Sequence, residues 1–218
     1  MSQNVNIIIV MRILEKTNVS KKAKIIIIIF FAMASTLFCG SDEEKINLTE
    51  EISKKATKMY APPMVKTLFA KVKEAGYKDS VQFCSEYALE HTAQSIAQIE
   101  ENMKKEYKIS SIKIGRTSLK LRNPQNMATE KQKEILKEWE IAQKNKQELK
   151  PVYFKEGDFY FGMAPIVINS PVCLGCHGGG EARDKEAYEK IKSIYSDDKA
   201  VDYNLNDIRG AIVVKIAY

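Results

Sequence analysis

Val152-Tyr153-Phe154-Lys155-Glu156-Gly157-Asp158-Phe159-Tyr160-Phe161 is the stretch that decides the fold class. Two aromatic, strand-prone triplets flank Glu156-Gly157-Asp158, and a short glycine-bearing link between such runs predicts a β-hairpin. Downstream, 164–168 offers a further strand and 211–217 a terminal one, with a short helix over 184–194 between them. Upstream the pattern turns helical. Asn47, three residues before Glu50, predicts a capped helix that is kinked or broken at Pro62-Pro63 and ends at Gly76. Asp79 or Ser80 starts a second helix reaching about Tyr107, with Val81, Cys84, Ala88, Ser95, Ile99 and Met103 along one face. Residues 109–121 predict one or two strands interrupted near Gly115, and Asn123-Pro124-Gln125-Asn126 a turn. Residues 129–149 form a highly charged helix with Ile135, Trp139 and Ala142 as its sparse apolar stripe. Helices early and strands late, joined by short hairpins, predict an α+β fold with an antiparallel sheet.

The chain has 218 residues, 44% hydrophobic and 28% charged. Those proportions exclude a disordered chain and a multi-pass membrane protein. Of the formal charge of +6, residues 1–39 hold five cations (Arg12, Lys16, Lys21, Lys22, Lys24) against Glu15, a net +4 that leaves only +2 for the rest. A near-neutral domain has no electrostatic footprint for nucleic acid. The leader is itself informative. Lys21, Lys22 and Lys24 precede an apolar run of about 10 to 15 residues, too short to span a bilayer comfortably and patterned like a secretory signal. Residues 1–38 are therefore read as a signal peptide or membrane anchor, and 45–218 as a single domain delivered to the periplasm. Met11 is an alternative start. Ala32-Met33-Ala34 offers a cleavage site, and Cys39 a lipidation site preceded by an unusually bulky Phe38.

Cys173-Leu174-Gly175-Cys176-His177 has the spacing of c-type haem attachment. Two thiols add across the haem vinyl groups, and the following imidazole becomes the proximal iron ligand. That attachment takes place outside the cytoplasm, in agreement with the leader. A thioredoxin-like C-x-x-C would need a βαβ setting, whereas this one precedes Gly178-Gly179-Gly180, which do not start a helix. A zinc site would need a fourth ligand from Cys39, Cys84, His91 or a carboxylate.

Gly115-Arg116-Thr117-Ser118-Leu119-Lys120-Leu121-Arg122-Asn123-Pro124-Gln125-Asn126, then Ala164-Pro165, then Cys173 to Gly178, and finally the terminal Asp207 to Val214 run resemble the Tll-like c-type haem-binding domains. The resemblance covers roughly 48–218. It implies a PAS-like α+β fold, with an antiparallel sheet and N-terminal helices packed around one covalently bound haem c. It also implies a cysteine thiolate as sixth iron ligand, at the position of Cys84. Such domains occur alone or as sensor modules of bacterial signalling proteins.

On chemical grounds the second axial ligand is open between Cys84, His91 and a methionine such as Met163 or Met103. Arg116, Lys120 and Arg122 sit at even positions, which on a strand share one face, and are candidates for binding the haem propionates. The functional expectation is a monohaem sensor of redox state or of a small gas (NO, CO or O2), and the alternative is a one-electron carrier between redox partners. A distal His/Arg pair for peroxide chemistry is not visible, so no enzyme is expected. An unidentified redox or signalling protein would be its partner, and the membrane would be met only through the leader.

Overall fold

The computed structural model describes residues 41–82 and 88–218, for 88–92 the backbone alone. The chain divides into units Met1–Lys45 and Ile46–Tyr218. The signal, cleavage and lipidation readings on 1–38 and Cys39 lie outside the described residues. In the first unit, the Ser41 hydroxyl accepts from the Glu44 amide (3.2 Å) and the Ser41 amide donates to the Glu44 carboxylate (2.8 Å). This reciprocal box, rather than Asn47 with Glu50, opens helix α1 (Asp42–Gln82).

Pro62 and Pro63 lie inside α1 without ending it. Each removes an N–H from the helical ladder, a local cost that packing must outweigh. Ile52, Ala56 and Tyr60, spaced four apart, are buried and supply that packing. The backbone leaves the helix at Gly76 (φ 77°, ψ 178°), a conformation open to glycine, and resumes it for one further turn. Helix α2 (Ala88–Glu106) buries Ile99 and Met103. Ser95, expected on that stripe, is exposed, and Ile96 packs against the core instead.

Strand β1 (Ser111–Thr117) runs through Gly115 without interruption and stops short of Lys120. Thr129 caps helix α3 (Glu130–Lys144) in a reciprocal box with Gln132, and the helix ends before the expected 149. The hairpin is as read, with β2 (Val152–Glu156) and β3 (Phe159–Val167) turning at Gly157-Asp158 and Gly157 at φ 60°, but the further strand expected over 164–168 is the continuation of β3. Next come α4 (Pro171–His177), α5 (Lys185–Ile194) capped by Asp184, and β4 (Ile208–Ala217). The strands form one antiparallel sheet in the order β1-β4-β3-β2. The α+β expectation holds.

Register decides what each face carries. Ile112 opposes Ile216, Ile114 opposes Val214, and Arg116 opposes Ile212. The first four of these, with Ile212, form one core under α1 and α2. The alternate residues Ala211 and Met163 face α3 through Ile135, Leu136 and Trp139. Each fully buried Ile or Val contributes about 1.5–3 kcal/mol relative to exposure, so the two-sided burial fixes the register of β4.

Candidate functional site

β3 delivers the chain directly into the cysteine motif. Ser170 caps α4, its hydroxyl accepting from the Val172 amide (3.3 Å), and Pro171 occupies the first turn, where its missing N–H is harmless. The helix closes at Gly178, whose N–H donates to the Leu174 carbonyl (2.8 Å). The motif is thus itself helical, which sequence reasoning did not foresee. Cys173 and Cys176, three residues apart, lie on one face of that helix, and both are half-buried. Gly175 is buried against the tail of α1: a Cβ there would stand 2.2 Å from the Tyr77 ring.

The loop after α5 wraps the back of the motif. The Tyr203 amide donates to the His177 carbonyl (3.0 Å) and the Asp202 amide to that of Gly178 (3.2 Å). His177 Nδ1 lies 2.8 Å from the Ala200 carbonyl oxygen. A carbonyl only accepts, so Nδ1 carries the proton and Nε2 keeps its lone pair. The Tyr203 ring meets the imidazole edge-on, with centroids 6.1 Å apart. Burial, then the charges of Arg209 and Arg122, hold the His177 pKa well below its ordinary value, against the opposing pull of the Ala200 carbonyl. The imidazole is therefore neutral, with its lone pair on Nε2.

Behind it lies an ion pair. The Asp198 side chain is fully buried, and Oδ2 accepts from Arg122 Nε (3.2 Å) and Nη2 (3.1 Å). Asp198 Oδ1 accepts from the Ala200 amide (2.9 Å), fixing the carbonyl that holds His177. Arg122 Nη2 also donates to the Cys176 carbonyl (2.8 Å). Its 3.4 Å approach to His177 Nδ1 sets two donors together and is proximity rather than a hydrogen bond.

The three cationic candidates do not share a strand face, because β1 ends at Thr117. Arg122 is held by Asp198. Lys120 donates to the Val201 carbonyl (3.1 Å) and lies 4.6 Å over the Tyr203 ring. Arg116 remains on β1, with Nη1 3.7 Å from Met64 Sδ. Met103 and Met163 are each 1% exposed and sit in the two sheet cores, away from the motif. Cys84 lies outside the described residues, and His91 is on α2 with only its backbone described. Burial raises the Cys173 pKa, opposed by backbone hydrogen bonds, unlike the lowered thiol of a dithiol redox centre. Among the described residues no cluster of three His, Cys, Asp or Glu is arranged to hold a metal ion; the side chains of Cys39, Cys84 and His91, named for a zinc site, lie outside them.

Asp198, Ala200, Tyr203 and Arg209 complete this site and were not singled out from sequence. The first three fall in a polar loop without periodicity. Arg209 stood in plain sight in the Asp207 to Val214 run but had no pattern to mark its role.

No curated protein matches this chain. Among solved structures it is similar to the cyanobacterial heme-protein Tll0287, at 22% identity and a TM-score of 0.41, over 56% of this chain and 71% of that one. The sequence profile of the Tll0287-like family matches residues 12–217. With nearly its whole length matched, this chain belongs to the Tll0287-like family.

Proposed function

We propose that this is an exported, periplasmic cytochrome that carries one haem c, attached through Cys173 and Cys176 with His177 on the iron, and senses redox state or a small ligand. The observation that carries the reading is the His177 Nδ1–Ala200 contact of 2.8 Å. Metal-binding histidines ordinarily give their second ring N–H to such a backbone acceptor, which fixes the tautomer and leaves the other nitrogen for the metal. The i, i+3 thiols on one helix face, both reachable from solvent, suit addition to a cofactor that arrives from outside.

When bound, haem supplies an iron that changes charge by one electron and can take a sixth ligand. The chain's own residues do the rest. Asp198 pins Ala200, Ala200 orients His177, and Tyr203 covers the ring edge. Cys84 is the proposed opposite ligand, His91 the alternative. Thiolate there would stabilise the ferric state and lower the potential, and its release on reduction would open a position for CO, NO or O2. The second reading, one-electron transfer to a protein partner, draws on the half-buried motif cysteines, which would hold the haem edge near the surface. No catalysis is proposed.

The test is purification from a strain competent in cytochrome maturation. A covalent mass increment and a pyridine haemochrome band are expected, and a colourless product would end the reading. EPR of Cys84→Ala and His91→Ala then assigns the second ligand. CO or NO uptake on reduction favours sensing, while a six-coordinate couple inert to CO favours electron transfer.

A further inference from the structure

Arg209 feels the like charges of Arg122 and Arg116, yet of the three only Arg122 has a carboxylate within salt-bridge distance. Arg209, mostly buried on β4, donates from Nη1 to the Ser118 hydroxyl (2.9 Å) and to the Lys120 carbonyl (3.3 Å). Its guanidinium carbon is 5.6 Å from the Tyr203 ring centre. Every one of these partners is neutral. Arg116 has the Met64 sulfur. Among the described residues, neither arginine makes a salt bridge. The two emerge from neighbouring strands at one end of the sheet, where Thr117 opposes Ala211 and the Ser118 hydroxyl also donates to the Arg209 carbonyl (2.7 Å). That end is the one beside His177, whose strongest charge neighbour is Arg209. Asp198, the carboxylate that attracts Arg209, is already paired with Arg122, so the mostly buried Arg209 and the exposed Arg116 leave an excess of positive charge here that a bound anion would offset.

We propose that Arg209 and Arg116 form a carboxylate clamp for the two haem propionates, a role read from sequence for Arg116, Lys120 and Arg122. Lys120 and Arg122 are spent elsewhere, on Val201 with Tyr203 and on Asp198. Guanidinium suits the task through paired hydrogen bonds to carboxylate. The inference rests on the haem reading above, and its test separates the two.

The experiment uses the haem-loaded protein. Absence of a haemochrome band from the unsubstituted protein refutes the haem reading, and with it this clamp. With haem present, reduction potentials of the unsubstituted protein and of Arg209→Gln, Arg209→Lys and Arg116→Gln are measured from pH 5 to 8. Charged and titratable groups facing Arg209 are Arg116, Arg122, Lys120, Asp198, Tyr203 and His177, and all are retained in the Arg209 variants. A clamped propionate stays ionised, so the unsubstituted protein and Arg209→Lys give flat profiles. Arg209→Gln and Arg116→Gln each release a propionate to titrate and give a sloping segment. Its limit is one proton per electron, tenfold per pH unit, or 59 mV for a one-electron couple. The resonance Raman propionate bending band shifts in the same two variants. A flat profile with an unshifted band in loaded Arg209→Gln overturns the proposal. If that variant does not accumulate, the same result in Arg116→Gln overturns it.

Discussion

Replacing Asp198 by alanine should destabilise the domain strongly, although Asp198 lies outside the cysteine motif. The Asp198 side chain is fully buried and the Arg122 side chain is 18% exposed. Removing one partner of a buried ion pair costs about 3–5 kcal/mol, because the other charge is left uncompensated. Partial exposure lets water replace some of the lost contact, which puts the expected loss near 3 kcal/mol. The Ala200 amide loses its acceptor as well. At about 2–4 °C per kcal/mol for a domain of this size, the midpoint should fall by about 6–12 °C. The assay is thermal unfolding followed by circular dichroism, run as a double-mutant cycle with Arg122→Met. The paired Arg122→Met/Asp198→Leu variant should be more stable than Asp198→Ala, since it leaves no charge stranded. A midpoint drop under about 2 °C, or a cycle additive within about 0.5 kcal/mol, would show that the pair does not organise the loop.

Three further outcomes can be checked. Ser53, 4% exposed, has a buried hydroxyl with no hydrogen-bond partner, so Ser53→Ala should leave stability unchanged or raise it by about 1 kcal/mol in urea titration. Gly175→Ala puts a Cβ 2.2 Å from the Tyr77 ring and should cost about 1–3 kcal/mol; a Tyr77→Ala background should relieve most of that loss, and an equal loss in both backgrounds counts against the contact. Haem-free protein should lose stability as pH falls below 6.5: His177 has a lowered folded pKa, so there the unfolded chain takes up a proton that the folded chain refuses. His177→Asn should flatten that fall, and an unchanged slope would assign it to other groups.

Where local chemistry and tertiary demand agreed, the sequence was readable. The Gly157 turn, the Asn123 turn, where Asn123 Oδ1 accepts from the Gln125 amide, and the alternation in β4 each rest on residues whose preferences match their final place. α1 resisted because Pro62-Pro63 signals a break, while the burial of Ile52, Ala56 and Tyr60 carries the helix through both prolines as far as the departure at Gly76. Extending β1 to Leu121 failed for a related reason: period-two spacing continues past Thr117 and β4 runs on to Ile208, but the pairing stops at Thr117 with Ala211, where the Ser118 hydroxyl turns to the Lys120 and Arg209 carbonyls. Of the candidate site, the three motif residues stood out in the sequence because their spacing suits covalent haem attachment, the role proposed for them. Their supports were not, because Asp198 and Ala200 act through a loop contact some twenty residues away, and no periodicity records such a contact.

The support behind His177 also limits what the histidine can do. A carboxylate bonded straight to Nδ1–H would push the ring toward imidazolate and make Nε2 strongly basic. Here the carboxylate stands one link back. Asp198 is neutralised by Arg122, and what reaches Nδ1 is the Ala200 carbonyl, itself 3.5 Å from Arg122 Nη2. A carbonyl facing a guanidinium is a poorer acceptor, so the ring stays a neutral donor of moderate strength. The arrangement therefore gives orientation without charge donation. Under the proposed function, any strong preference of a bound haem for the ferric state would have to come from its second ligand, for which Cys84 and His91 are the candidates, since the residues behind His177 would supply orientation alone.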